Sequence, residues 1–260
     1  MRYFLGFLIT IFSILHLVKD VKAQDGMEQW VDSVFNSLSE EERIAQLLVV
    51  RANQPGKRYN NEVTRYIRKY NIGGVTFFRG NAMDQALITN KWQNLAETPL
   101  FISIDAEWGL GMRINDAISY PFQMTLGAVK DDSLIYEMGK AIARQCQRLG
   151  IQINFAPVAD INSNPENPII GMRSFGEDKR MVARKAIAYM KGMQDQGILT
   201  TAKHFPGHGD TDTDSHKTLP VINHDRARLD SLELFPFREM IKSGLDGIMI
   251  AHLYICLLYT

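Results

Sequence analysis

Short apolar runs alternate with longer segments of mixed polarity along most of the chain, and this alternation predicts its secondary structure. In the longer segments apolar residues recur every three to four positions, which is typical of amphipathic helices, whereas short continuous apolar runs predict buried strands. The helices are predicted at residues 61–70, 84–97, 132–149, 179–196 and 236–242. The strands are predicted at residues 75–78, 100–104, 151–158, 198–202 and 247–251.

Turn-forming residues mark the boundaries of these elements. A glycine or a proline follows every predicted helix, at residues 73–74, 99, 150, 197 and 244. Ser39 and Glu42 fit a capping box, which predicts an earlier helix that runs into the apolar residues 47–50. We count about six strand units in all.

Strands that alternate with helices predict a parallel α/β architecture in which helices cover the outer face of the sheet. Several predicted strands end in a polar residue, namely Arg79, Asp105, Asp160, His204 and His252. A (β/α)8 TIM-type barrel builds its active face in this way. A doubly wound sheet shares the local pattern, but no G-x-G-x-x-G segment follows an early strand. We therefore predict a TIM-type barrel, incomplete here because a closed barrel needs eight strands.

Composition and charge exclude some classes of partner. The chain has 260 residues, of which 45% are hydrophobic and 22% charged, and its formal net charge is zero. This balance gives no electrostatic basis for binding nucleic acid or an anionic membrane surface. Cys146 lies in a helical pattern and is predicted to be a small core residue, and we predict no disulfide with Cys256.

The first residues predict export. Arg2 precedes an apolar run of about a dozen residues, and a polar stretch ends at Ala23. We interpret residues 1–23 as a secretory signal peptide, cleaved after Ala23, so that the protein is secreted or periplasmic without a stable membrane span. An uncleaved membrane anchor is the alternative, but the apolar run is short for a bilayer span.

The densest cluster of chemical groups lies in Lys203 to His216, which contains three of the six histidines and three aspartates. A predicted strand leads into this segment, so Lys203 and His204 are expected at the strand's end and the remainder in a loop. A zinc site is one interpretation, because the H-x3-H and D-x-H spacings are compatible with metal ligands. No H-E-x-x-H segment or cysteine pair supports it, and we predict no metal and no other cofactor.

This segment resembles the K-H-F-P-G-H-G-x(4)-D-S-H signature of family 3 glycoside hydrolases, and more specifically of their β-N-acetylglucosaminidase branch. All ten fixed positions of the signature are matched. Other stretches are similar to family segments in the same order: residues 74–79, residues 105–113 (D-x-E-x-G-x-G-M-R), residues 154–160 (N-F-A-P-V-x-D) and residues 173–176 (R-S-F-G). The resemblance runs from about Gly26 to His252.

The resemblance implies a TIM-type barrel and a retaining hydrolysis that releases a terminal β-linked N-acetylglucosamine. The acid/base pair of the branch maps onto Asp214 and His216. The sugar-binding residues map onto Asp105, Arg113, Arg173, Lys203 and His204. Arginine and lysine are hydrogen-bond donors only, which suits hydroxyl and carbonyl oxygens of an acetamido sugar. The implied partner is a small saccharide derived from peptidoglycan or chitin.

Simpler interpretations of single residues stand beside these roles. Asp105 could cap a turn, and Arg173 could form a structural ion pair. Glu107 is expected to support the polar ring without contacting substrate. His208 is expected to be structural, and His224 is assigned no role.

The chain also departs from the family pattern. The family's nucleophile is an aspartate after the seventh strand, and no residue of this chain matches it. Residues 24–254 are expected to form the barrel domain and residues 255–260 a non-native tail. The chain alone is therefore expected to be inactive, although the intact protein is predicted to be an enzyme. A family 3 β-glucosidase, a glycoside phosphorylase and a non-catalytic sugar-binding barrel are the alternatives.

Overall fold

A computed structural model describes residues 26–52, 57–212 and 219–255 of the chain. Residues 26–37 are helical and form α1. The other helices are α2 (Glu40–Ala45), α3 (Lys57–Tyr70), α4 (Ala82–Gln93), α5 (Gln123–Gly127), α6 (Asp132–Arg148), α7 (Lys179–Gln194), α8 (Arg226–Ser231) and α9 (Phe235–Lys242). The strands are β1 (Val49–Ala52), β2 (Gly74–Phe77), β3 (Phe101–Ile104), β4 (Ile153–Asn154), β5 (Leu199–Phe205), β6 (Val221–Ile222), β7 (Gly247–Ile250) and β8 (Tyr254–Ile255).

Six strands form one parallel sheet in the order β1-β2-β3-β4-β5-β7. The sheet curls into a half barrel with helices on its outer face, so the predicted incomplete TIM-type barrel is confirmed. The remaining strands, β6 and β8, form a separate two-stranded parallel sheet that the sequence pattern did not predict. Because the six strands run in the same direction, their carboxyl ends share one rim.

The capping box at the start of α2 is confirmed. The Ser39 hydroxyl accepts a hydrogen bond from the Glu42 N–H at 3.2 Å, and the Glu42 carboxylate accepts one from the Ser39 N–H at 2.9 Å. The helix ends at Ala45, however, and strand β1 begins four residues later. The apolar residues 47–50 therefore form a turn and the start of β1, where the prediction had the helix running into them.

The fourth and fifth strands differ from the predicted lengths. Only Ile153 and Asn154 of the predicted run 151–158 pair regularly, because the Asn154 side chain bonds the Ala106 backbone instead of extending the ladder. Strand β5 continues to Phe205, with a register shift between Ala202 and Phe205 in its pairing with β7. Lys203 and His204 therefore lie within an irregular part of the strand.

Helices α6 and α7 pack closely on the outside of the sheet. A Cβ atom added at Gly192 of α7 would lie 2.1 Å from the Tyr136 carbonyl oxygen of α6, so the contact requires glycine. The buried face of α6 includes Cys146, as predicted above, and Ile135 and Ile142, as the apolar spacing of residues 132–149 predicts. The apolar spacing of residues 132–149 predicts Leu134 on that face as well, but Leu134 lies on the solvent side of the helix and is 61% exposed.

Cys146 is a free, buried thiol, which confirms its prediction as a core residue. Burial raises the pKa of this thiol to about 12.

The helices of the described residues include none that is both long enough and apolar enough to cross a membrane. The predicted signal peptide lies outside the described residues.

Candidate active site

An open cleft with a volume of about 780 Å³ lies at the carboxyl ends of the parallel strands. This is the rim at which the fold class places active sites. Its walls include the apolar side chains of Phe78, Trp108, Phe155, Ile169 and Met249. Its polar lining includes all five predicted sugar-binding residues, namely Asp105, Arg113, Arg173, Lys203 and His204. His208 and His252 also line it. The structure therefore brings the predicted binding residues together, whereas Asp214 and His216 lie outside the described residues.

Asp105 follows the last residue of β3 and is held by two cations. Its Oδ2 atom accepts a hydrogen bond from Arg113 Nη2 at 2.5 Å, and its Oδ1 atom accepts one from the Lys203 ammonium group. The Arg113 Nε–H also donates to the Asp105 carbonyl oxygen at 3.0 Å. Asp105 thus has a fixed orientation towards the cleft, which argues against a simple turn-capping role.

Glu107 lies beneath the cleft with a side chain that is 0% exposed. Its carboxylate accepts two hydrogen bonds from Arg173, at 2.9 and 2.6 Å, and lies 2.7 Å from the Lys203 ammonium nitrogen. Burial on its own raises the pKa of Glu107, but Lys203 and Arg173 outweigh that effect and hold the pKa well below its usual value. Glu107 is therefore ionised, and its predicted supporting position is confirmed.

The three cations differ in their access to the cleft. The side chains of Arg113 and Arg173 are 23% and 22% exposed, whereas that of Lys203 is 2% exposed. The Lys203 ammonium group bonds both Asp105 and Glu107. Two of its three N–H donors are thus committed, so Lys203 has one left for a ligand.

Asp160 fixes the irregular end of β5. Its fully buried carboxylate accepts hydrogen bonds from the N–H group of His204 (3.1 Å), which lies in the irregular part of β5, and from that of His208 (2.7 Å), which lies beyond the strand. It also lies 2.6 Å from Nδ1 of the His204 ring. Burial on its own raises the pKa of Asp160, but His204 and these N–H groups outweigh it and lower the pKa.

The neighbours of His204 determine its tautomer. Arg173 Nη2, which can only donate, lies 3.1 Å from His204 Nε2. Because Nε2 accepts that bond, the ring proton is assigned to Nδ1, where it is donated to Asp160. His204 is therefore neutral in this arrangement, and both of its ring nitrogens are already engaged.

His208 is 2% exposed, and its Nδ1 atom lies 2.6 Å from the Thr211 hydroxyl. Its Nε2 atom has no hydrogen-bond partner among the described residues. Burial lowers the pKa of His208 and favours the neutral ring. The contacts fit the predicted structural role, although the residue also lines the cleft.

Sequence reasoning missed two contacts near the site. Asp160 was noted only as a polar strand end, although its position after an apolar run was a usable signal. Asp210 pairs with His224, which had been assigned no role. The Ser163 hydroxyl donates to the other Asp210 oxygen at 3.2 Å. No sequence signal connects Asp210 with His224.

Within the described residues, no three His, Cys, Asp or Glu side chains converge as a metal-binding group. The zinc interpretation also used Asp214 and His216, which lie outside that range.

Comparison with known proteins agrees with the geometry. Residues 39–258 match the family model described as the glycosyl hydrolase family 3 N terminal domain. Beta-hexosaminidase A of Pseudoalteromonas piscicida is 41% identical over 206 residues, which cover 74% of this chain and 34% of that protein. Beta-hexosaminidase LpqI of Mycobacterium tuberculosis is 32% identical over 227 residues, which cover 84% of this chain and 56% of that protein. The chain thus spans about a third to a half of these relatives.

The fold of the chain is also similar to that of solved structures. A glycoside hydrolase family 3 β-N-acetylglucosaminidase from Paenibacillus sp. str. FPU-7 has a TM-score of 0.78 and 39% identity, covering 84% of this chain and 43% of that one. The beta-glucoside phosphorylase BglX bound to 2FGlc has a TM-score of 0.83 and 27% identity, covering 87% and 41%. The family match, the half barrel and the cleft at its carboxyl rim agree, and the chain belongs to glycosyl hydrolase family 3.

Proposed function

We propose that this chain is the larger part of the catalytic barrel of a retaining β-N-acetylglucosaminidase. The enzyme removes terminal β-linked N-acetylglucosamine from fragments of peptidoglycan or chitin. The observation that carries the proposal is the convergence of Asp105, Arg113, Arg173, Lys203 and His204 in one cleft. Relatives named beta-hexosaminidases support the same substrate class.

In this proposal the polar side chains of the cleft bind and orient the sugar. Asp105 accepts hydrogen bonds from sugar hydroxyls, since each of its oxygens keeps a lone pair beyond those used by Arg113 and Lys203. Arg113 and Arg173 donate to hydroxyl or acetamido oxygens. The buried Asp160 and Glu107 hold these groups in place, which reduces the entropy lost when the sugar binds.

Proton transfer is assigned to His216, with Asp214 orienting its ring. An unperturbed imidazole titrates near pH 6.5, so it can donate a proton to the leaving oxygen and then accept one from water. A carboxylate two residues away can stabilise the imidazolium. The nucleophile is the aspartate that the family carries after its seventh strand, for which this chain has no counterpart.

Export to the periplasm or beyond completes the proposal. The pattern of residues 1–23 supports it, since a charged start, a short apolar run and a small residue at the exit are typical of signal peptides.

The test uses the full-length gene product, obtained by sequencing the source DNA past the codon for His252. A chromogenic β-N-acetylglucosaminide should be hydrolysed with retention of configuration, and His216→Ala should lower kcat by about a hundredfold or more. Full activity of the His216→Ala variant would refute the assignment of the proton donor. Absence of hydrolysis by the folded, unsubstituted protein would refute the enzymatic proposal.

Phosphorolysis is a second candidate, favoured by the likeness to a beta-glucoside phosphorylase. A histidine acid/base does not repel an anionic acceptor as a carboxylate does. Release of a sugar 1-phosphate when inorganic phosphate is present, in place of the free sugar, would decide for this alternative.

A further inference from the structure

The polar floor of the cleft is one continuous chain of hydrogen bonds with Glu107 at its centre. The chain runs through seven side chains, in the order Arg113, Asp105, Lys203, Glu107, Arg173, His204 and Asp160. We refer to these as the floor network. Within this network, Glu107 is the side chain that joins the first three members to the last three. It contacts Lys203, the last member on one side, and Arg173, the first member on the other.

The charges of the floor network balance. Arg113, Arg173 and Lys203 supply three positive charges, Asp105, Glu107 and Asp160 supply three negative charges, and His204 is neutral. Glu107, like Asp105, contacts two of the cations at once, and it is the more deeply buried of the two carboxylates. Without its charge, the floor network would carry one net positive charge next to the cleft.

We propose that Glu107 determines the selectivity of the cleft for uncharged sugars over anions. Its carboxylate neutralises Lys203 and Arg173 and holds the Arg173 guanidinium group in a two-point contact, so that these cations do not attract a phosphate or carboxylate ligand. This inference rests on the proposed function, since it concerns the same cleft and its sugar ligand. Glu107 acts through Lys203 and Arg173, and as a side chain that is 0% exposed it does not itself contact the ligand.

Glu107→Gln is the informative substitution because it keeps the size of the side chain and removes its charge. The amide oxygen can replace only one of the two carboxylate oxygens. The amide NH2 group then faces a donor of Arg173, which bonds both oxygens in the native structure. We therefore expect Arg173 to turn away from its native position and the floor network to gain one net positive charge.

The experiment measures binding of N-acetylglucosamine and of inorganic phosphate to the full-length protein by isothermal titration calorimetry. For Glu107→Gln we expect the sugar affinity to fall by about tenfold or more and phosphate binding to become at least about tenfold tighter. Glu137→Gln, which removes an exposed carboxylate paired with Lys140 on the protein surface, is the matched control and should change neither affinity. Glu107→Asp keeps the charge and should still exclude phosphate.

Two further measurements keep the proposal testable if Glu107→Gln does not fold. The double variant Glu107→Gln/Arg173→Gln has a balanced floor network again, so it should fold and bind phosphate no better than the unsubstituted protein. In the unsubstituted protein, excess phosphate should not displace N-acetylglucosamine.

The outcomes separate the two proposals. Sugar binding by the unsubstituted protein, together with no phosphate gain in a folded Glu107→Gln variant, would overturn the role of Glu107 and leave the proposed function intact. Displacement of the sugar by phosphate in the unsubstituted protein would also overturn the role of Glu107 and leave the proposed function intact. Failure of the folded, unsubstituted protein to bind any sugar would refute the proposed function itself.

Discussion

Replacing Asp160 by asparagine is the sharpest test of how the site is held together. The native carboxylate is fully buried and accepts three donors, namely the N–H groups of His204 and His208 and Nδ1–H of the His204 ring. An asparagine keeps the shape but offers one acceptor oxygen and one donor group. Whichever way the amide turns, at least one of the three donors must face another N–H group.

The magnitude follows from the bonds that are lost. A hydrogen bond to a charged group contributes about 1.5–3 kcal/mol, and a buried donor left unpaired costs about 1–3 kcal/mol. We therefore expect Asp160→Asn to lower the free energy of unfolding by about 2–4 kcal/mol. The His204 ring should also lose its fixed tautomer, so the affinity for sugar should fall as well.

The assay is urea-induced unfolding at neutral pH and over an acid series. The pKa of Asp160 is lowered from its ordinary value of 3.8 because His204 and the N–H groups outweigh the effect of burial. The stabilisation is therefore fully present above pH 3.8 and is lost as the pH falls through the lower pKa of the folded state. The difference between the native protein and the variant should accordingly shrink on acidification below that pH.

A matched control is Asp32→Asn, which makes the same chemical change at an exposed position of α1. It should alter the free energy of unfolding by less than about 0.5 kcal/mol. An equally small effect of Asp160→Asn at neutral pH would refute the reasoning. So would a difference that grows as the pH is lowered.

Two further predictions concern the outer layer of the fold. Gly192→Ala should lower the free energy of unfolding by about 1–3 kcal/mol in a thermal unfolding assay, because the added Cβ lies 2.1 Å from the Tyr136 carbonyl oxygen and forces α6 and α7 apart. Gly26→Ala, whose Cβ meets no atom within 4 Å, is the control in this assay. Cys146, with a pKa raised to about 12, should resist a thiol reagent in the folded Cys256→Ser variant, in which it is the remaining cysteine. It should react once urea unfolds the protein, and rapid labelling of the folded state would contradict its burial.

The sequence was sufficient for the fold class because the information was local and repeated. Helix periodicity, glycine stops and apolar runs recur along the chain, and each unit of a parallel sheet is specified by its own segment. The predicted strand at residues 151–158 was too long because the Asn154 side chain competes with the ladder for the Ala106 backbone. That competition is a tertiary contact between β4 and the segment that follows β3, and no local pattern reports it.

The residues of the candidate site could be predicted from the sequence, but the ion pairs and hydrogen bonds between them could not. Polar strand ends and motif positions identified Asp105, Arg113 and Arg173, since the carboxyl ends of parallel strands must share one rim. The carboxylate partners of Arg173 and Lys203 lie 66 to 98 positions away in sequence, so these pairs depend on the tertiary fold. The joining role of Glu107 therefore became visible only in three dimensions.

The register shift in β5 affects which side chains of this strand line the cleft. In a regular strand, consecutive side chains point to opposite faces of the sheet, so only every second residue can serve one surface. Irregularities of this kind re-aim side chains and are common beside active sites. Here the shift between Ala202 and Phe205 lets two neighbours, Lys203 and His204, both line the cleft. Two adjacent residues thus contribute to the same surface of the cleft. A change that made this strand regular would turn one of the two side chains towards the helix layer.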